Sequence, residues 1–266
     1  MSLKDEGFFS PTIASWVARN RVENPEWFAL ADDLRQLSQN LLLAIDPPDD
    51  RNSITMLLIF ARAVTSYQSS LLLIERGLPA DARTIARSFL ETTMHYGAAT
   101  KDSVFYERLL AADRRHKQNI ADPLVKMGAE KSGLEPGQIE ALEEWLADPD
   151  APKPGKLPIE QLMEGMELGD IYDTYFRGLS GDSAHTTVLS LGRHAVADPD
   201  GVMTGTKWGP DLSETENTLM TVCSVMFYLL HWVQQTLGKA IQADEIEAFW
   251  TEYKRLVEKA NRPAPA

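Results

Sequence analysis

Two groups of polar residues, roughly ninety positions apart, have the types and spacing to do chemistry. The first is Arg83, Arg87, Glu91 and His95 in the stretch DARTIARSFLETTMHYGAAT. Each i+4 step drifts about 40° around a helix axis, so the four form one slanted stripe. Ile85, Phe89, Thr93 and Tyr96 fill the opposite side. The plain expectation is a solvated face whose Arg–Glu pairs are worth about 0.2–0.5 kcal/mol each. Two placements speak against it. Both arginines sit near the helix N-terminus, the wrong end for a cation, and Arg-before-Glu is the weaker order of the pair. Arg87, at the edge of the apolar face, is expected to point inward.

The second group lies in YDTYFRGLSGDSAHTTVLSLGRH, Tyr172 to His194, where tyrosines, arginines, histidines and an Asp-Ser pair surround a Gly-x-x-Gly break. Such polar density between apolar segments is costly unless the groups find partners. Tyr172, Tyr175 and Phe176 are expected on one helical turn that Arg177 ends. Gly178 and Gly181 then make a tight connection, with Ser180 or Asp182 capping the next helix and His185 in its first turn. A helix N-terminus with free amides seats an anion, and Arg87 or Arg177 would complete that site. The simpler alternative makes Asp182 only a cap and His185 a satisfied core histidine.

Sharper motifs fail on spacing. Gly178-Leu-Ser180-Gly181 is not a Gly-x-Ser-x-Gly elbow and lacks the strand that elbow needs. Ser180, Asp182 and His185 are too close in sequence for a comfortable triad. Glu91 and His95 with Asp182 and His185 lack the Glu-x-x-His spacing of di-iron bundles, so neither a metal nor another cofactor is expected. The densest basic patch, Arg114-Arg115-His116-Lys117, reads as a solvated helix face.

The 266-residue chain has 39 acidic and 26 basic residues and a net charge of −13. That balance repels a phosphate backbone and weighs against nucleic acid as partner, while a local cluster can still hold one small anion. The single cysteine, Cys223, excludes an internal disulfide. Its setting, LMTVCSVMFYLL, is that of an inert core thiol. Met1 to Phe9 lacks a signal-peptide pattern. The most apolar runs, Ile54–Val64 and Leu219–Val233, fall short of the roughly 18 uninterrupted apolar residues of a membrane span. A cytoplasmic chain with no membrane association is expected.

Helical periodicity covers nearly everything. Helices are expected over about 11–20, from Pro25 through Leu41, then 52–76, 80–99, 103–130, through IEALEEWLA, 213–237 and 243–259. The third is apolar on most of its circumference and belongs in the middle of a bundle. HAVADPDGVMTGTKWGP reads as a hairpin turning at Asp198–Gly201. The expected architecture is all-α, a single-domain multi-helix bundle (1–266) with one small β-hairpin near residues 194–208. Residues 1–20 and 261–266 are expected to be peripheral, and 148–158 to be a mobile loop.

Three features together resemble a family of uncharacterised bacterial all-helical proteins. They are Ala86-Arg-Ser-Phe-Leu-Glu91, the stretch Tyr175-Phe-Arg-Gly-Leu-Ser180-Gly-Asp-Ser-Ala-His185, and the Asp200-Gly201 hairpin with Gly209-Pro210 behind it. The resemblance implies that Arg87, Glu91, Tyr175, Ser180 and His185 are the recurring polar positions. A looser similarity is to helical ribonuclease domains of toxin and defence systems, which set an Arg a few residues before a His. Here Arg177 and His185 are further apart, and Gly178 replaces the usual polar residue. The leading functional expectation is an inter-helix pocket binding a small anionic or phosphate-bearing ligand through Arg87, Glu91, Tyr175, Ser180 and His185. The alternatives are metal-independent RNA cleavage, with His185 as base and Arg177 stabilising the phosphorane, and a homodimeric interaction module built on a buried Arg-Glu-Tyr-His network.

Overall fold

The computed structural model describes residues 6–166, 168–171, 177–179, 187–237 and 243–261. After a 3-10 turn at Gly7–Phe9 come α1 (Ile13–Glu23), α2 (Pro25–Ala44), α3 (Arg51–Glu75), α4 (Pro79–Lys101), α5 (Phe105–Ser132) and α6 (Pro136–Ala147). Three short pieces follow, α7 (Ile159–Gly165), α8 (Gly169–Ile171) and α9 (Arg177–Leu179), then α10 (Val188–Gly192). The hairpin β1 (Ala195–Ala197) and β2 (Met203–Thr206) precedes the long α11 (Thr215–Leu237) and the amphipathic α12 (Ala243–Ala260). The chain is a single all-α domain with one small hairpin.

The core follows from which helices carry wide apolar faces. Helices α3, α4 and α11 pack on one another, and α2 closes the bundle against α3 and α11. Phe60, Tyr67, Phe89, Leu90, Met94, Leu219 and Met226 are fully buried where they meet. Pro25 and Pro79 each start their helix at its first turn, where a missing N–H costs nothing. Helix α3 is long and apolar enough in composition to cross a bilayer, but in this fold it sits in the bundle with Phe60, Tyr67 and Ile74 buried.

The N-terminal segment is held firmly. Asn20 is fully buried and its amide donates to the Ile74 carbonyl at 2.9 Å, joining the Gly77 N–H that donates there at 3.0 Å at the C-terminal end of α3. Arg21 bridges Asp32 of α2, at 2.9 Å, and Glu75 of α3. The 148–158 connection is tied to α5 where the Gly155 N–H donates to the Ala111 carbonyl at 2.9 Å.

Helix α5 runs past Pro123 and breaks at Gly128, whose φ of 70° a side chain would resist. Beside it, α6 overturns the expectation that Arg114 belongs to a solvated basic face. Arg114 is 6% exposed. Its guanidinium lies 3.6 Å from the centre of the Trp145 ring. Its Nη2 donates to the Trp145 carbonyl at 2.5 Å and to that of Leu146 at 3.3 Å. A cation placed at the last carbonyls of α6 complements the helix dipole, so this arginine clamps α6 to α5. Arg115, His116 and Lys117 are exposed as expected.

Candidate functional site

The stripe on α4 departs from a solvated face at its first member. The Arg83 side chain is 12% exposed; its Nε donates to Thr218 Oγ1 at 3.2 Å and its Nη2 pairs with Glu214. Arg193, 17% exposed, pairs with the same Glu214 oxygen. One carboxylate is therefore shared by two guanidiniums, from α4 and from the end of α10. This explains the cation at the wrong end of α4, whose counter-charge lies some 130 residues away in sequence.

Further along the stripe, Arg87 is half-buried with its Nε buried, and Glu91 is half-buried. His95 lies edge-tilted on Phe105, ring centres 6.2 Å apart. Burial pushes the His95 imidazole below the ordinary histidine range, more than nearby Glu91 can raise it.

Tyr172, Tyr175, Ser180, Asp182 and His185 fall outside the described residues, as does the side chain of Arg177. The described part of their segment does reach α4. Helix α9 packs against α4, and Leu179 is buried in the core. The helix described next, α10, starts from Thr187, whose hydroxyl accepts from the Ser190 N–H at 3.1 Å. That cap lies beyond His185, so α10 is not the helix expected to hold His185 in its first turn.

A cavity of about 740 Å³ opens at the N-terminal foot of α4, lined by residues that no single motif joins. Phe8, Trp16 and Arg19 come from the N-terminal segment, and Pro79, Ala80 and Asp81 from the first turn of α4. The far wall is Arg193 and His194 with the run Lys207 to Leu212. Two local features hold that wall. The Asp211 N–H donates to the Gly77 carbonyl at 2.9 Å. Gly77 has a φ of 73°, and a Cβ there would meet Pro210 Cβ at 2.8 Å and Asp211 N at 2.9 Å. Only glycine permits so close an approach at that dihedral.

The hairpin supplies the remaining polar groups. The Lys207 N–H donates to the His194 carbonyl at 2.9 Å, and His194 Nδ1 lies 3.2 Å from the Lys207 carbonyl. Because a carbonyl only accepts, Nδ1 carries a proton and the neutral ring has Nε2 free to accept. Lys207 Nζ is 3.2 Å from Asp211. Burial pushes the Asp211 carboxyl up, but hydrogen bonds from Ser213 Oγ (2.6 Å) and Ser213 N–H (3.0 Å), with Lys207, hold it below the ordinary aspartate range. Trp208 is 54% exposed, a large aromatic surface left open beside these charges.

Comparison with known families matches residues 54–202 to one described as a family of unknown function, DUF5677. That span is more than half of the chain. The chain belongs to this family. No curated protein and no solved structure matches it. The DUF5677 segment contains the α4 stripe, α9 and Arg193-His194, together with most of the motifs that carried the resemblance. Trp16, Arg19, Lys207, Trp208 and Glu214 lie outside it, so the cavity at the foot of α4 is built partly from DUF5677 residues and partly from flanking ones. None of Arg87, Glu91 or His95 lines that cavity. Among the described residues, no three His, Cys, Asp or Glu side chains converge.

Proposed function

We propose that this DUF5677 chain binds a small anionic molecule with an aromatic part, in the cavity at the foot of α4. One observation carries the reading. The cavity sets Trp16 and Trp208 beside Arg19, Arg193 and Lys207, three cations against the two lining carboxylates of Asp81 and Asp211, in a chain whose net charge is −13. A volume of about 740 Å³ lies in the range of small-molecule sites. Trp208 gives a ring a face to stack on, and the cations set the sign of the ligand's charge. Phenyl phosphate is the probe, followed by calorimetry and tryptophan fluorescence. Saturable binding that weakens at least tenfold in Trp208→Ala and in Arg193→Gln is expected, with inorganic phosphate binding more weakly. Absence of saturable binding, or binding indifferent to both substitutions, contradicts the reading.

A second reading rests on α9 packing against α4, the helix that carries Arg87, Glu91 and His95. Tyr175, Ser180 and His185 belong to the same segment, and a polar network with α4 would either fix helix packing in a homodimer or serve RNA cleavage through His185 and Arg177. Purified protein that leaves RNA intact, with His185→Ala changing only the unfolding temperature, rules out the nuclease form.

A further inference from the structure

At the other end of α4, roughly 30 Å away by helix rise, a second cavity of about 560 Å³ opens between α11 and α12. Its character differs from the first. Phe227, Tyr228, Trp232 and Trp250 line it. Trp250 stays 36% exposed although its orientation is fixed. One of its faces stacks on buried Tyr253, with centres 5.2 Å apart and planes 13° apart, and it meets Phe227 in a T-shaped contact at 5.0 Å. A rigid indole with an open surface in a concavity is a stacking platform whose ordering is already complete.

The polar groups at this cavity are also set in advance. Gln235 Nε2 lies 2.8 Å from His231 Nε2. An amide nitrogen only donates, so His231 Nε2 accepts and the ring proton sits on Nδ1. That exposed i,i+4 pair orients both side chains and leaves the Gln235 carbonyl oxygen as acceptor beside the second amide N–H as donor. Lys101 and Glu247 both line the cavity and offset each other in charge, so nothing there selects an ion.

We infer that the α11–α12 cavity is a second binding site, for a neutral planar heteroaromatic molecule with adjacent donor and acceptor on one edge, a nucleobase or similar ring. The ring stacks against Trp250 and Tyr228, and its polar edge meets Gln235. Aromatic contacts of this kind contribute through buried area and ring geometry, and a missing edge partner leaves a polar group unpaired.

Saturation-transfer NMR with adenine, uracil and benzimidazole tests the inference, with toluene as the ring that lacks the edge. At least one heterocycle is expected to bind and toluene to bind at least about tenfold more weakly. Trp250→Ala is expected to weaken the heterocycle at least fivefold. Gln235→Leu, on the exposed side of α11, is expected to weaken it at least threefold without moving the unfolding temperature. Trp208→Ala, which damages the first cavity, leaves this binding unchanged, so failure of one site is distinguishable from failure of the other. The inference is overturned if none of the three heterocycles binds, if toluene matches the best of them, or if both local substitutions leave binding intact.

Discussion

At its N-terminal end α4 meets its neighbours through charge. Arg83 reaches Glu214 and Thr218, Arg193 shares the carboxylate, and a cavity lies alongside. Toward its C-terminal end, α4 meets α11 through a close apolar contact. A Cβ on Gly97 would lie 2.6–2.8 Å from three ring atoms of Trp232, and Tyr96 Oη shares a 2.7 Å hydrogen bond with Thr236 Oγ1. Two helices that touch through glycine and an indole leave no space between them. Where they meet instead through the Arg83–Glu214 pair, the foot cavity lies alongside. The same helix therefore packs directly on α11 at one end and meets it through charged pairs beside the foot cavity at the other.

Substitutions at the two glycines break this comparison most sharply. Gly77→Ala adds a side chain at positive φ and drives it into Pro210 and the Asp211 backbone, at a cost of about 2–4 kcal/mol. Its unfolding temperature should drop and phenyl phosphate binding should fall with it, because the cavity wall is displaced. Gly97→Ala presses on the Trp232 ring. The expected loss is about 1–3 kcal/mol, partly offset by the better helix propensity of alanine. Calorimetry should show that this variant keeps phenyl phosphate affinity.

The charged end is tested next. Glu214→Gln removes the carboxylate shared by Arg83 and Arg193 and is expected to cost about 1–3 kcal/mol in denaturant unfolding. His95 adds a pH signature. Its folded pKa lies below the unfolded value near 6.5, so its contribution is fully present above that pH and is lost as pH falls toward the folded value. His95→Gln should flatten the stability profile in that interval. Cys223 has the opposite sense. Burial pushes its thiol up to about 12, so its contribution is intact below about pH 9 and is lost between there and 12. Native protein should resist thiol reagents until it unfolds. The smallest effect concerns Thr93, fully buried, whose hydroxyl has no hydrogen-bond partner among the described residues. Thr93→Val should be neutral or stabilise by up to about 1 kcal/mol.

Most of the fold was legible because its signals are local. Pro25, Gly77, Pro79 and the Asp198–Gly201 turn punctuate the chain where the elements begin and end, and the apolar breadth of α3 set it against α4 and α11, although Ile54, Leu58 and Leu72 stay exposed on it. The cores of Phe89, Tyr96 and Cys223 followed from periodicity and apolar context. What escaped was long-range pairing. Arg83 carries no mark of Glu214, nor Arg114 of the Trp145 ring, because a partner reached only in three dimensions leaves no spacing in the sequence. The oddity of two arginines at the N-terminal end of α4 was the one usable trace of such a partner. It pointed to Arg87, whose Nε is buried, and the described ion pair is made by Arg83 one turn earlier. The foot cavity was illegible for the same reason, since Trp16, Arg193 and Trp208 come from three distant segments. No helix period links them.

The central claim is that the charged foot of α4, where Arg83 and Arg193 share Glu214, lies beside a ligand site. A crystal soaked in phenyl phosphate tests it most directly. Density for the ring against Trp208, with its phosphate toward Arg193 or Lys207, is the result expected. A foot cavity that stays empty at saturating probe, with Trp208 unmoved, would contradict it.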